Sequence, residues 1–287
     1  MSRARLVVPR IEGTIYRWSF GETTFEVDAA HGARVTRFSL GGDNILSGPE
    51  VNALNFGATF WTSPQSQWGW PPPVELDSEP YSATRLGDTA LFSGRPDATL
   101  GIAVNKRVSV DGASGVVTLE YELRNLSGAL RTVAPWEISR HPTHGLTFFP
   151  EHAPMTAPAS SLAVTRAAGA VWFAYESPSI TDHQKLFAHG AEGWICHVDV
   201  ARRLQLVKRF PELARAEQAP GEASIEIYAD PTHTYIEVEQ QGAYRPLASG
   251  ESVTWRVDWL LRRLPATTTL SMGSLGLLAA ARALASA

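Results

Sequence analysis

Apolar and polar residues alternate with period 2 along most of this 287-residue chain. "TIYRWSF", "TTFEVDAA", "RVTRFSL", "IAVNKRVSV", "GVVTLEYELRN", "ASIEIYAD", "TYIEVEQQG" and "SVTWRVDWLLRRL" all carry it. Turn signals such as "GG", "DGASG" and "DPTH" separate the runs. Period 2 places alternate side chains on opposite faces of a strand, whereas a helix needs a period near 3.6. Before residue 265 no segment holds the helical period over three turns. Only "SLGLLAAARALASA" does, and "PELARAEQAPGE" has room for one helical turn. The pattern therefore predicts an all-β chain of at least a dozen strands: a large antiparallel β-sandwich with a short C-terminal helix. No linker-like shift in composition divides it, so residues 1–287 read as one domain with a helical tail over 265–287. "EHAPMTAPASS" is the best loop candidate.

Composition narrows the function classes. A net charge of −4, with no basic run interleaved with aromatics, gives no reason to expect nucleic acid as a partner. The single cysteine, Cys196, excludes an internal disulfide and a cysteine-based metal site. The N-terminus lacks a long apolar stretch, and Arg282 breaks the apolar C-terminus. Neither a signal peptide nor a membrane span is expected, and the default is a soluble cytoplasmic protein. No P-loop, dinucleotide fingerprint, G-x-S-x-G or H-E-x-x-H occurs, so neither a cofactor nor a metal is expected. His141 and His144 lie around a proline with no third ligand close in sequence.

The unusual residues are concentrated in three places. "FWTSPQSQWGWPPP", residues 60–73, holds three tryptophans and four prolines without a charge. Indoles on a rigid loop suit stacking on a sugar ring, and amides can bond hydroxyls. Trp61, Trp68, Trp70, Gln65 and Gln67 are therefore candidate carbohydrate contacts, followed by Asp77. The alternative is a plug that buries its tryptophans in the core. In "TYIEVEQQG", Tyr235, Glu237 and Glu239 share one face. A solvated outer face is the plain explanation of that pattern. In "APWEISRHPTHG", Trp136, Ile138 and Arg140 alternate with Glu137, Ser139 and His141, so the second set forms the polar face. Paired carboxylates also leave a glycosidase open.

The order of these features resembles the galactose mutarotase-like superfamily. "GARVTRFSLGGDNIL" is similar to its opening hairpin, and "EVEQQGAYRPLASGESVTWRVDWLL" to its closing pattern. The resemblance covers roughly residues 12–264. More narrowly, "FWTSPQSQWGWPPP", "PWEISR" followed by "GLTFFP", and the E-V-E end resemble the domain of unknown function 4380 family. The wider resemblance implies a supersandwich fold and aldose 1-epimerase-like interconversion of sugar anomers. In that chemistry a base takes the anomeric hydroxyl proton and an acid protonates the ring oxygen, so both must reach one small volume. By position, "ISRH" puts His141 in the acid role and "VEQQ" puts Glu239 in the base role. Pro142 and Thr143 follow His141 where the epimerase motif has an aromatic residue and asparagine, and Arg140 stands where it has asparagine. Glu137, Arg140, Lys208 and Glu237 are further cleft candidates, although Lys208 and Arg209 must face opposite ways. The expected partner is a small or oligomeric carbohydrate. The rival reading is a sugar-binding module without turnover, and a third is an interaction protein with an exposed apolar patch.

Overall fold

The computed structural model describes residues 5–155 and 157–287. Two antiparallel sheets face each other across one apolar interior. The larger runs, edge to edge, through Arg10–Glu12, Ile15–Phe20, Thr23–Asp28, Arg34–Leu40, Ala58–Ser63, Arg131–His141, Ile236–Gln241, Ile225–Ala229 and Gln184–Ala188. Short strands Asp43–Asn44 and Arg245–Leu247 pair beside this path. The smaller sheet runs through Thr165–Ala167, Ala170–Ala174, Gly145–Pro150, Trp194–Asp199, Leu204–Arg209, Ser252–Arg263, Val116–Asn125, Ile102–Asp111, Thr89–Ser93 and Ser82–Leu86. The large antiparallel sandwich expected from the alternation is the fold observed.

Alternation fills the space between the sheets. Phe25 and Phe38 of the larger sheet meet Trp259 of the smaller at ring separations of 6.1 and 6.0 Å. Phe60 stacks on Tyr121 at 4.0 Å. Interdigitated aromatics of this kind contribute beyond their buried area, by about 0.5–1.5 kcal/mol a pair.

The C-terminal helix, Leu275–Ala285, also forms as expected. Ser274 caps it, its Oγ accepting from the Leu277 amide at 3.2 Å. Leu277, Leu278 and Ala281 cover an apolar patch of the smaller sheet that includes Phe148, Trp172, Trp194 and Cys196. Burial raises the Cys196 thiol pKa, which keeps it protonated and unreactive. The possible helical turn in "PELARAEQAPGE" is a single 3-10 turn, Arg215–Glu217. The loop candidate at 151–161 holds only a bridge at Glu151, with Thr156 outside the described residues. No helix among the described residues is long and apolar enough to cross a membrane.

Arg131–His141 lies deep in the larger sheet, paired with Ala58–Ser63 on one side and Ile236–Gln241 on the other. From Val133 to His141 every residue is buried. Both faces of this strand are covered, and they are covered by different things.

Candidate functional site

Strand register builds the site. Directly paired residues of antiparallel strands project to the same face. On the outer face of the larger sheet, away from the smaller one, three rows of paired residues cross neighbouring strands. The first is Lys185, Tyr228, Glu237 and Arg140. The second is Phe187, Glu226, Glu239, Ile138 and Thr59. The third is Gln241, Trp136 and Trp61.

Charges on this face are paired but not saturated. Lys185 Nζ lies 2.5 Å from Glu226 Oε2 and 3.1 Å from Glu239 Oε2, and 4.9 Å from the centre of the Trp136 ring. Trp136 donates its Nε1–H to the same Glu239 oxygen at 2.9 Å. Glu226 Oε1 accepts from the Ala223 amide at 2.7 Å and from Gln241 Nε2 at 2.9 Å. Arg140 donates Nε–H to Glu237 at 2.9 Å and Nη1–H to Thr59 Oγ1 at 3.1 Å. Two groups remain open: Glu239 Oε1 and Arg140 Nη2 are buried and have no hydrogen-bond partner. A buried, unsatisfied polar atom costs about 1–3 kcal/mol, and more when charged.

Burial and charge set the ionisation. Burial alone would lower the Lys185 pKa, but the Glu226 and Glu239 carboxylates outweigh it and raise it. Burial raises Glu226, helped by the Glu239 and Glu222 carboxylates and opposed by Lys185. Burial likewise raises Glu237 against the pull of Arg140. Lys185, 22% exposed, and Glu237, 13% exposed, are where this face reaches solvent, while Glu226, Glu239 and Arg140 have no exposed side-chain surface.

The tryptophans form one cluster against this face. Trp61 lies 5.5 Å from Trp136, 5.7 Å from Trp68 and 6.2 Å from Trp70. Trp61 belongs to the strand Ala58–Ser63 and is buried, so it is floor and not loop. Trp68 is partly buried, its Nε1–H donated to the Thr62 carbonyl at 2.9 Å. Trp70 is 63% exposed. The stretch therefore runs from a buried indole at Trp61 to an exposed one at Trp70.

Six candidate residues lie elsewhere or are already engaged. His141 points between the sheets, where its ring packs at a tilt against His197, 4.2 Å between centroids. Its Nε2 bonds Ser139 Oγ at 2.8 Å and its Nδ1 bonds the Ile45 carbonyl at 2.9 Å. It pairs with Ile236 while Glu239 pairs with Ile138, so the two project from opposite faces of the sheet. They cannot serve one anomeric carbon, and the expected acid/base pair does not exist. Glu137 and Lys208 form an interior ion pair at 3.1 Å. Glu137 also accepts from Trp259 Nε1 at 3.0 Å, and from Tyr121 and Gln240. Gln67 supports the loop by bonding the Thr132 carbonyl and the Tyr244 hydroxyl. Gln65 reaches the Gly69 carbonyl. Asp77 is held by Trp61 Nε1 and Arg34 Nη2, each at 3.0 Å.

The polar face read from "APWEISRH" is thus the interior one, and the apparently apolar face carries the unpartnered charged groups and the tryptophan cluster. Trp61, Trp68, Trp70, Arg140, Glu237 and Glu239 do come together. Lys185, Glu226 and Tyr228 were missed. The signal for two of them was present: "ASIEIYAD", "DPTH" and "TYIEVEQQ" form a hairpin whose register sets Glu226 beside Glu239 and Tyr228 beside Glu237. Among the described residues no group of three or more His, Cys, Asp or Glu side chains is arranged to hold a metal ion.

Known structures share this architecture. A galactose mutarotase-like protein from Lactobacillus casei superposes with a TM-score of 0.60 at 11% identity, covering 86% of this chain and 100% of that one. The fold is that of the galactose mutarotase-like proteins. A second such protein, from Clostridium acetobutylicum, gives 0.54 at 10% identity, over 90% of this chain and 98% of its own. A TPR-domain containing protein from Parabacteroides distasonis gives 0.62 at 11% identity over 90% of this chain, which spans only 50% of that larger chain. Other matching structures carry aldose 1-epimerase in their names. No family model matches the sequence, so the narrower resemblance to domain of unknown function 4380 is not shown. No curated protein matches it either. At these identities the likeness establishes the galactose mutarotase-like fold and leaves the chemistry to the site itself.

Proposed function

We propose that this protein binds a carbohydrate on the outer face of the larger sheet. One observation carries the reading: a buried acceptor, Glu239 Oε1, and a buried donor, Arg140 Nη2, stand without partners on the face that bears the tryptophan cluster. A sugar hydroxyl both donates and accepts, so hydroxyls suit the two atoms together. The indoles supply apolar surface for the ring, with Trp70 as its outermost part. Lys185 is long and partly exposed, so its displacement opens the way to Glu239.

Anomer interconversion is the second reading, and one contact favours it. Lys185 Nζ and Glu239 Oε2 lie 3.1 Å apart, which sets a proton donor beside a carboxylate base. The same contact weakens the pair for that task. The carboxylates hold the Lys185 proton more tightly, which makes it a poorer acid.

The test is proton NMR across a panel of neutral, acidic and phosphorylated sugars. Saturation transfer reports binding, and the anomeric signals report exchange. The proposal expects saturable binding, weakened in Glu239→Gln, without faster anomer exchange. Exchange accelerated by the protein and lost in both Glu239→Gln and Lys185→Met would establish the second reading. Binding unchanged in Glu239→Gln would remove the outer face from consideration.

A further inference from the structure

A second polar cleft lies away from the tryptophan face. It has a volume of about 520 Å³ and opens between the 42–51 loop, the end of the strand Arg131–His141 and the turn holding Arg202. Its floor is anchored firmly. The Ser47 amide donates to the Arg140 carbonyl at 2.9 Å, and the Ser47 carbonyl accepts from the Gly57 amide at 2.8 Å. The Ser47 side chain, by contrast, is unsatisfied: the residue is 1% exposed and its Oγ has no partner. Thr36 Oγ1, on the same cleft, is likewise buried and unpartnered. Two such hydroxyls lining one cleft are unusual, because buried polar groups in folded proteins are normally bonded.

The charges around the cleft indicate what would satisfy them. Arg37, His144 and Arg202 line it as donors, and Asp43 and Glu50 as acceptors. Arg202 is paired with Asp199 at 2.8 Å, and Asp43 with Arg263 at 2.8 Å. Arg37 lies 3.5 Å from Glu26, and His144 lies 3.7 Å from Asp199. Cations and carboxylates therefore largely offset each other, and an anion finds no excess of positive charge. A neutral ligand that donates and accepts at several points matches two free hydroxyls flanked by donors and acceptors. We infer that this cleft is a second binding site for a small, uncharged, hydroxyl-rich molecule such as a monosaccharide or sugar alcohol. It stands independently of the tryptophan face.

Amide NMR titrations of the full chain with glucose, sorbitol and inorganic phosphate test this. Saturable shifts at Ser47, Gly48 and His144 are expected with glucose or sorbitol, in the wild-type chain and equally in Glu239→Gln. Ser47→Ala and Thr36→Val, each removing one hydroxyl with little change of shape, are expected to weaken that binding about fivefold each. Three results would overturn the inference: no saturable shift with either polyol, a response to phosphate alone, or shifts that vanish in Glu239→Gln. Affinity unchanged in both hydroxyl variants would overturn it as well.

Discussion

The two faces of the strand Arg131–His141 solve opposite problems. The inner face, with Glu137, Ser139 and His141, is polar yet closed. Glu137 receives Lys208, Tyr121, Trp259 and Gln240, and both His141 nitrogens are bonded. The outer face, with Trp136, Ile138 and Arg140, is mostly apolar by composition but leaves Arg140 Nη2, and Glu239 Oε1 beside it, without partners. The network around Glu137 is saturated and ties the two sheets together. Polarity alone therefore does not mark the candidate face. Unpartnered buried atoms such as His197 Nε2 and Trp255 Nε1 also occur between the sheets, so what distinguishes the outer face is an open acceptor and an open donor set beside a tryptophan cluster.

The largest expected effect is on the inner face. Lys208→Met leaves the Glu137 carboxylate buried without its cation, and is expected to cost about 3–5 kcal/mol in urea denaturation. A loss below about 1 kcal/mol would mean that the inner network does not hold the sheets together.

The pH dependence of stability separates the faces next. Burial lowers the pKa of His197 to about 3 and that of His141 well below 6.5, with the neighbouring imidazole and Lys208 adding to the shift on His141. The folded state therefore binds these protons less readily than the unfolded chain. Their contribution is complete above pH 6.5 and declines as pH falls, by about 1.4 kcal/mol per pH unit for each histidine. The outer carboxyls of Glu226 and Glu237 are raised above 4.5, so their contribution runs the other way and is lost as pH rises through their folded values. His197→Phe should flatten the acid-side decline, and Glu226→Gln should steepen it. Urea midpoints measured from pH 7 to pH 4 check both signs.

Ligand affinity is the third discriminator. Glu239→Gln is expected to weaken sugar binding about tenfold or more, as loss of a charged hydrogen-bond acceptor does. The smallest effect belongs to Trp70→Ala. Removing this exposed indole should leave stability within about 0.5 kcal/mol while weakening sugar binding about two- to tenfold. Calorimetric titration beside thermal melting shows whether the two quantities part in this way.

Much of the fold was legible in the sequence, because period 2 and turn residues are local signals. The strand Ile236–Gln241 displays Glu237 and Glu239 together as its alternation requires, and the C-terminal helix begins at its Ser274 cap. Sidedness was not legible. Alternation tells which residues of Arg131–His141 share a face, but not which face meets the other sheet, and here both are buried. The usual inference from polar to outward failed because the interior holds a paired lysine and glutamate and two neutral histidines. Lys185 was missed for a related reason. It stands on the edge strand Gln184–Ala188, whose place beside Ile225–Ala229 depends on a pairing across about 40 residues that no local pattern encodes.

The indole N–H signals of the nine tryptophans offer the most direct test of the central claim. In a sugar titration followed by ¹⁵N-edited NMR, the signals of Trp61, Trp68, Trp70 and Trp136 should shift and saturate together. Trp259, bonded to Glu137 on the inner side of the same sheet, should stay still. Movement of Trp259 with the outer indoles unmoved would contradict the account and return the chemistry to the face of His141.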